Sequence, residues 1–279
     1  MLLTLNVLWQ ISTLALVAFG LAVIFGQLRI INMAHGEFVM IGAYTAPIVA
    51  ALGLPPLFQP LVCLGLAGVL ALAIEYFFVR HLYNRLFDSL LATWAIGILL
   101  RELAIVFFGR AYQNVASPVP GTADVLGTDY PMYRLLLMAF ILVFFCGFYA
   151  WYRRSYLGMK IRAMVENPPL ASAMGTNVPA LSRRVFIAGS MSAAFAGWLL
   201  APTVRIDPFM GLDYLVRSFF ALVVGGAGSL QGLVVGSGII GGLQSVISAL
   251  MNQVSGYVFV LLLSILFLWK RPNGIVNPR

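Results

Sequence analysis

The sequence predicts an all-α, polytopic membrane protein with eight or nine transmembrane helices, two of them interrupted, in a single domain over residues 1–279. Of the 279 residues, 61% are hydrophobic and 9% are charged, whereas roughly a quarter of an ordinary soluble domain is charged. Apolar segments recur along the whole chain without period-two alternation. Because lipid offers no hydrogen bonds to the backbone, such segments are expected to be helices.

Five segments are long and uniformly apolar, as a spanning helix of about 20 residues requires. They are residues 2–26, 57–79, 86–108, 133–152 and 185–204. Four more segments are shorter or interrupted by glycine. They are residues 38–54, 212–225, 230–250 and 257–269. The first 26 residues contain no Lys or Arg, so they predict a retained first span, not a cleaved signal peptide.

The basic residues predict the orientation, because short loops rich in Lys and Arg stay in the cytoplasm. One set of loops carries 12 of the 17 basic residues, and half of these lie in the loop at 153–184. The opposite loops carry Asp124, Asp129, Asp207 and Asp213. We therefore expect an inner-membrane protein whose N-terminus is outside and whose C-terminus is cytoplasmic. The excess of 17 Lys and Arg over 9 Asp and Glu is too scattered for a nucleic-acid surface.

Several chemistries are excluded by residues that are missing or isolated. Cys63 and Cys146 each lie inside an apolar run, which argues against a disulfide framework. His35 and His81 are the only histidines, so no metal site is predicted. The chain has no phosphate-binding loop motif, so we expect no cofactor in it and place any ATP and Mg²⁺ on separate partner chains.

Two interruptions of apolar segments predict the translocation pathway. We call residues 27–37 the first break and residues 225–232 the second break. Paired interruptions in the two halves of a chain point to a transport route, because freed backbone groups must line a cavity or pack against protein. The candidate pathway residues are Asn32, His35, Glu37, Gly225, Gly226, Gly228, Ser229 and Gln231.

A second interpretation of the breaks stays open. Glycines also allow two helices to approach closely, and then both breaks would be ordinary loops at the membrane surface. His35 likewise suits either a hydrogen-bonded structural role or a pH-sensitive one.

Three ionisable residues fall inside predicted spans, where they usually face the bundle interior and have a partner. They are Glu75, Arg101 and Glu102. We expect Arg101 to pair with Glu75 or Glu102, and direct contact with substrate is the alternative.

The loop at 153–184 contains a predicted short amphipathic helix. Asn167 is a suitable N-cap, and Pro168 is tolerated in a first helical turn because its missing N–H is not needed there. Leu170, Ala173 and Met174 then form an apolar face, and Gly175 ends the helix. A helix this short is only marginally stable alone. We therefore expect it to dock against a partner. A solvated connector is the alternative.

Four sequence motifs resemble those of the membrane subunits of ABC importers for branched-chain amino acids and for urea or short-chain amides. They are INMAHGEF at 31–38, ENPPLASAMG at 166–175, FALVVGGAGSLQG at 220–232 and LWKRPNGI at 268–275. The LLATW segment at 90–94 resembles the urea-type branch more.

The resemblance implies a transport subunit that is not itself an enzyme. It implies a second related permease chain, preferably a heterodimer partner, two cytoplasmic ATPase subunits and an extracytoplasmic solute-binding protein. It also implies that the loop holding residues 166–175 supplies the helix that docks into the ATPase, and the motif match extends to Glu166, Ala173 and Gly175.

The main alternative is an ion-coupled secondary transporter of small neutral solutes, in which breaks and buried charges would serve ion coupling. A channel would need a ring of repeated chemistry, which one polar break per half does not supply. An intramembrane enzyme is disfavoured because no hydrolase or metalloprotease motif occurs.

Overall fold

The computed structural model describes residues 1–83, 85–226, 229–271 and 274–276. Within them the chain forms eleven α-helices and one short antiparallel hairpin. The helices are α1 Leu2–Leu28, α2 His35–Ala51, α3 Gln59–Phe77, α4 Leu86–Phe108, α5 Met132–Arg154, α6 Tyr156–Glu166, α7 Pro168–Ala173, α8 Val178–Leu200, α9 Met210–Gly225, α10 Leu230–Leu250 and α11 Gln253–Lys270. The strands are β1 Thr122–Asp124 and β2 Asp129–Pro131.

Seven of the described helices are long and apolar enough to cross a membrane: α1, α3, α4, α5, α8, α10 and α11. The other two apolar helices are shorter, with 17 residues in α2 and 16 in α9. At 1.5 Å per residue they are about 25 Å long, somewhat less than the roughly 30 Å of a bilayer core. The described part of the chain therefore contains seven helices long enough to span a membrane, and the expected eight or nine spans, two of them interrupted, stay a prediction.

The breaks are narrower than the sequence suggests. Helix α2 begins at His35, so His35 and Glu37 lie in its first turn. This start is favoured because the Asn32 side chain accepts a hydrogen bond from the Ala34 N–H at 3.1 Å and because an acidic residue suits a helix N-terminus. Gly225 and Gln231 likewise belong to α9 and α10.

The core is built where α1, α2 and α8 cross at glycines. A Cβ atom at Gly197 of α8 would collide with the Val39 carbonyl of α2, and one at Gly42 would collide with the Ala194 carbonyl. Gly20 and Gly189 bring α1 and α8 equally close. Small residues allow this approach, and close backbone packing holds helices together in membranes.

The two ends of the bundle differ in charge and in structure. We call the end that carries α6, α7 and the arginines at 153, 154, 183 and 184 the basic end. The hairpin end carries the β1–β2 hairpin, and there Gln113 and Ile206 form an isolated backbone bridge between two loops.

Candidate functional site

The first break is held together by side chains that bond to its backbone. Arg29 ends α1 in the left-handed region, with φ 52°. Beyond it, the Thr93 hydroxyl of α4 accepts a hydrogen bond from the Met33 N–H at 2.9 Å. Ile30, Ile31 and Asn32 are buried. Buried polar backbone groups need such partners, so Thr93 supports the backbone of the first break, a role that the sequence analysis did not predict.

The first turn of α2 places two ionisable side chains in the bundle interior. His35 Nε2 lies 2.9 Å from the Val17 carbonyl oxygen in the middle of α1, so this nitrogen donates a hydrogen bond and the ring ties α2 to α1. Glu37 forms an ion pair with Arg101 of α4. The side chains of Glu37 and Arg101 are 2% and 12% exposed, so each buried charge is neutralised by the other.

The predicted partners of Arg101 are therefore wrong. Glu102 follows Arg101 in the helix, so its side chain points elsewhere and is exposed. Glu75 pairs with Arg183, with 2.8 Å between Glu75 Oε2 and Arg183 Nε. The sequence shows that a buried charge needs a partner, but the partner is chosen by tertiary packing.

Glu75 joins α3 to the first turns of α8 at the basic end. Its second oxygen accepts a hydrogen bond from the Tyr83 hydroxyl at 3.1 Å. Burial, and next the negative charge of Glu75, raise the pKa of Tyr83 far above its ordinary value. The phenol therefore stays protonated as a donor, and it holds the ion pair with Arg183 near the end of the loop at 153–184.

The start of α2 also lies against the start of α9. A Cβ atom at Gly36 would collide with the Gly211 carbonyl, and one at Gly211 would come within 2.6 Å of the Gly36 carbonyl oxygen. The two short helices thus meet backbone to backbone, as the glycine interpretation expects. Near this contact, four buried polar atoms have no partner among the described residues: Asn32 Nδ2, His35 Nδ1, Glu37 Oε2 and Arg101 Nε.

The end of α9, where the second break begins, is bonded to residues 275 and 276. Gly226 ends α9 with φ 111°, and the N–H groups of Ile275 and Val276 donate to the carbonyls of Val224 and Gly225 at 3.0 Å. Ser229 caps α10 by accepting from the Gly232 N–H at 2.8 Å. Gly228 lies outside the described residues.

One cavity is lined by residues of both breaks. Gln27 and Ser229 line one cavity of about 180 Å³, together with Tyr152 and Arg184. In contrast, Asn32, His35 and Glu37 bond to α1, α2 and α4. Gly36 of the first break contacts α9 at Gly211, near the start of that helix, whereas Gly225 of the second break lies at its end. A single route lined by both breaks stays a prediction.

The predicted short helix in the loop at 153–184 is present as α7. The Asn167 side chain accepts from the Leu170 N–H at 3.0 Å, and Gly175 has φ 84° beyond the end of the helix. Leu170 and Met174 are 56% and 77% exposed, and Glu166, Pro168 and Ala173 are exposed with them. Ala171 faces inward and is buried. The loop also contains α6, whose buried residues Gly158, Ile161 and Met164 the sequence analysis did not use.

The fold and these features define a multi-pass helical membrane protein with an exposed apolar helix on a polar loop. Residues 3–269 match the family model described as branched-chain amino acid transport system / permease component. The chain belongs to this family.

Individual relatives match over nearly the whole chain. The high-affinity branched-chain amino acid transport system permease protein LivH of Escherichia coli (strain K12) is 29% identical over 95% of this chain and 92% of the relative. LivH of Salmonella typhimurium is 28% identical with the same coverage. The permease BraD of Pseudomonas aeruginosa is 27% identical, again over 95% of this chain and 92% of the relative.

A solved structure shows a related fold. PsaBC from Streptococcus pneumoniae in complex with Fab aligns with a TM-score of 0.51, covering 97% of this chain and 91% of that chain. At 13% sequence identity this likeness concerns the fold alone.

Proposed function

We propose that this chain is the permease subunit of an ATP-driven importer for branched-chain amino acids in the bacterial inner membrane. The observation that carries the proposal is the family match over residues 3–269. The relatives described above are named for branched-chain amino acids, which favours that substrate over urea and short-chain amides. The family does not favour an ion-coupled secondary transporter.

The resemblance to the urea-type branch rests on residues 90–94, and their positions give it little weight. Thr93 is buried and bonds to the backbone of the first break. Trp94 is 53% exposed on the outside of the bundle. Neither arrangement distinguishes one solute from another.

The helix α7 is proposed to dock into a cytoplasmic ATPase subunit. Exposed apolar side chains at Leu170 and Met174 gain free energy when a groove removes them from water. The loop begins beside Arg153 and Arg154, and it returns to the membrane at Arg183, which is tied to α3 through Glu75. Movement of α7 would therefore be transmitted to both α3 and α8.

Other subunits are proposed to complete the importer. They are a second related permease chain, two ATPase subunits that bind ATP and Mg²⁺, and an extracytoplasmic solute-binding protein. The basic end would then face the cytoplasm and the hairpin end would face the solute-binding protein.

The contact between α2 and α9 is proposed to be the moving part of the translocation pathway. Each helix is too short to span the core comfortably, and the two meet at Gly36 and Gly211 with unpaired polar atoms close by. Separation of the two helices would expose Asn32, His35 and Glu37 to water and to a passing solute. If α2 and α9 are both counted as membrane helices, the described part of the chain has nine of them.

The test is co-expression of the chain with its neighbouring transport genes, followed by purification and uptake assays. We expect ATPase subunits to co-purify and leucine uptake to require ATP and the solute-binding protein. Uptake should survive an uncoupler when ATP is supplied. Uptake by the isolated chain driven by an ion gradient would overturn the proposal, and uptake of urea without leucine would reassign the substrate.

A further inference from the structure

A polar cavity opens at the hairpin end, between α1, α5, the end of α8, the loop before α9, α9 itself and the start of α11. It has a volume of about 410 Å³. An adjoining cavity of about 330 Å³ shares Trp9, Gln10, Arg134 and Gln253 with it. The two cavities adjoin at these four residues, and the larger one reaches Met210 at the start of α9.

The wall of this cavity carries charges of both signs that do not pair with each other. Arg134, Arg205, Arg217, Asp207 and Asp213 all line it. In the described part of the chain, the ion pairs within 4.0 Å are Arg85–Asp88, Arg101–Glu37 and Arg183–Glu75, and none involves a residue of the cavity.

Asp213 and Arg217 show most clearly that these charges are kept apart. They lie four residues apart on α9, a spacing at which opposite charges usually meet. Instead, the Arg217 guanidinium lies over the Tyr257 ring, 5.2 Å from its centroid. Its Nε is buried without a hydrogen-bond partner among the described residues. Arg134 lies similarly over the ring of Trp9, at 5.3 Å.

The floor of the cavity is apolar. Trp9, Leu200 and Met210 line it and are buried in the bundle. Met210 directly precedes Gly211, which packs against Gly36 of α2. A molecule on this floor would therefore lie next to the contact between the two short helices.

We propose that this cavity is an entry site for a zwitterionic aliphatic amino acid. The carboxylate would bind the Arg217 guanidinium, the ammonium group would bind the Asp213 carboxylate, and the branched side chain would rest against Leu200 and Met210. A zwitterion satisfies separated charges of both signs without adding net charge, whereas urea offers neither a full charge nor an apolar side chain. The inference rests on the proposed function and adds the place where substrate first contacts this chain.

The first test compares Asp213→Asn and Arg217→Gln with the control Arg110→Gln, in the complete transporter with its solute-binding protein. Arg110 is exposed and lies outside the cavity. We expect each cavity variant to lower leucine uptake about tenfold or more, since a charge-assisted hydrogen bond is lost. ATP hydrolysis stimulated by the binding protein should persist, and the control should behave as the unmodified transporter.

Two outcomes of this test would overturn the proposal that the cavity binds substrate. If both cavity variants import leucine normally, the charges do not bind substrate. If stimulation of ATP hydrolysis falls together with uptake and is restored by more binding protein, the charges dock that protein instead. Failure of the proposed function itself looks different, because then the unmodified transporter would import no leucine.

The second test measures binding directly. Thr203 lines the cavity, and Thr203→Cys can be labelled in a Cys146→Ser background because Cys63 is buried. L-leucine should slow labelling in the assembled transporter, whereas leucinamide and 4-methylpentanoate, which each lack one charge, should protect far less. Equal protection by all three compounds, or none by leucine, would contradict a zwitterion site.

Discussion

The Glu37 carboxylate and the Arg101 guanidinium neutralise each other inside the bundle, across 64 residues of sequence. Removal of one partner leaves the other charge buried without compensation, which typically costs about 3–5 kcal/mol. We expect Glu37→Gln to lower the free energy of unfolding by this order, measured by denaturant titration of the purified protein in detergent.

The neighbouring carboxylate supplies the control for this prediction. Glu102→Gln removes an exposed group beside Arg101 and should change the free energy of unfolding by less than about 0.5 kcal/mol. The double variant Glu37→Met with Arg101→Met should recover much of the loss, because no lone charge remains. Equal stability of Glu37→Gln and Glu102→Gln would show that the pair contributes nothing.

At the scale of elements, the contact between α2 and α9 depends on the absence of side chains. The methyl group of Gly211→Ala would come within 2.6 Å of the Gly36 carbonyl oxygen, so the helices must separate. Overpacking of this kind costs about 1–3 kcal/mol. Gly147→Ala in α5 is the matched control, because a Cβ there meets nothing within 4 Å and alanine favours a helix. The midpoint temperature of thermal unfolding in detergent should fall for Gly211→Ala and should not fall for Gly147→Ala.

Bulky substitutions in the second break cannot separate an effect on transport from an effect on folding. Gly226 has φ 111°, and a Cβ there would collide with the Val276 carbonyl. A larger residue would strain the backbone whatever the role of the position. Loss of uptake in Gly226→Leu would therefore report on folding as well as on the pathway.

The helix α7 gives a sharper test of coupling. Ala173 is exposed beside Leu170 and Met174, so Ala173→Arg should leave the chain folded but place an unpaired charge in the docked face. We expect leucine uptake and co-purification of the ATPase to be lost, whereas Ala173→Ser should retain both. Normal uptake by Ala173→Arg would remove the docking role.

For the whole molecule, the orientation is tested by labelling single cysteines in a Cys146→Ser background. Ser172→Cys lies on the exposed loop at the basic end, and Thr122→Cys lies on the hairpin. A membrane-impermeant maleimide applied to intact spheroplasts should label only Thr122→Cys, because Lys- and Arg-rich loops stay in the cytoplasm. Labelling of Ser172→Cys alone would reverse the proposed orientation.

Local rules predicted part of this molecule well. The cap at Asn167 and the stop at Gly175 follow from side-chain chemistry within a few residues, and both are present. The existence of the long apolar helices follows from composition and length. These features depend on near neighbours, so the sequence alone was sufficient.

Features that depend on distant contacts could not be predicted in the same way. The partner of Arg101, the support that Thr93 gives to Met33, and the meeting of Gly36 with Gly211 all join segments far apart in sequence. The polar cavity at the hairpin end is assembled from five helices and the loop before α9, and no sequence motif marks it. A single sequence contains the residues but not their arrangement in space.

The hydrogen bonds from residues 275 and 276 to the end of α9 have a consequence for how the protein is made. Residues 275 and 276 follow α11 in chain order, yet their N–H groups bond to the last two carbonyls of α9. During synthesis these carbonyls stay open until α10 and α11 have been inserted and the segment behind them has left the ribosome. These two hydrogen bonds at the end of α9 therefore form only after α11 has been made, and a nascent chain halted before residue 275 would leave both carbonyls without them.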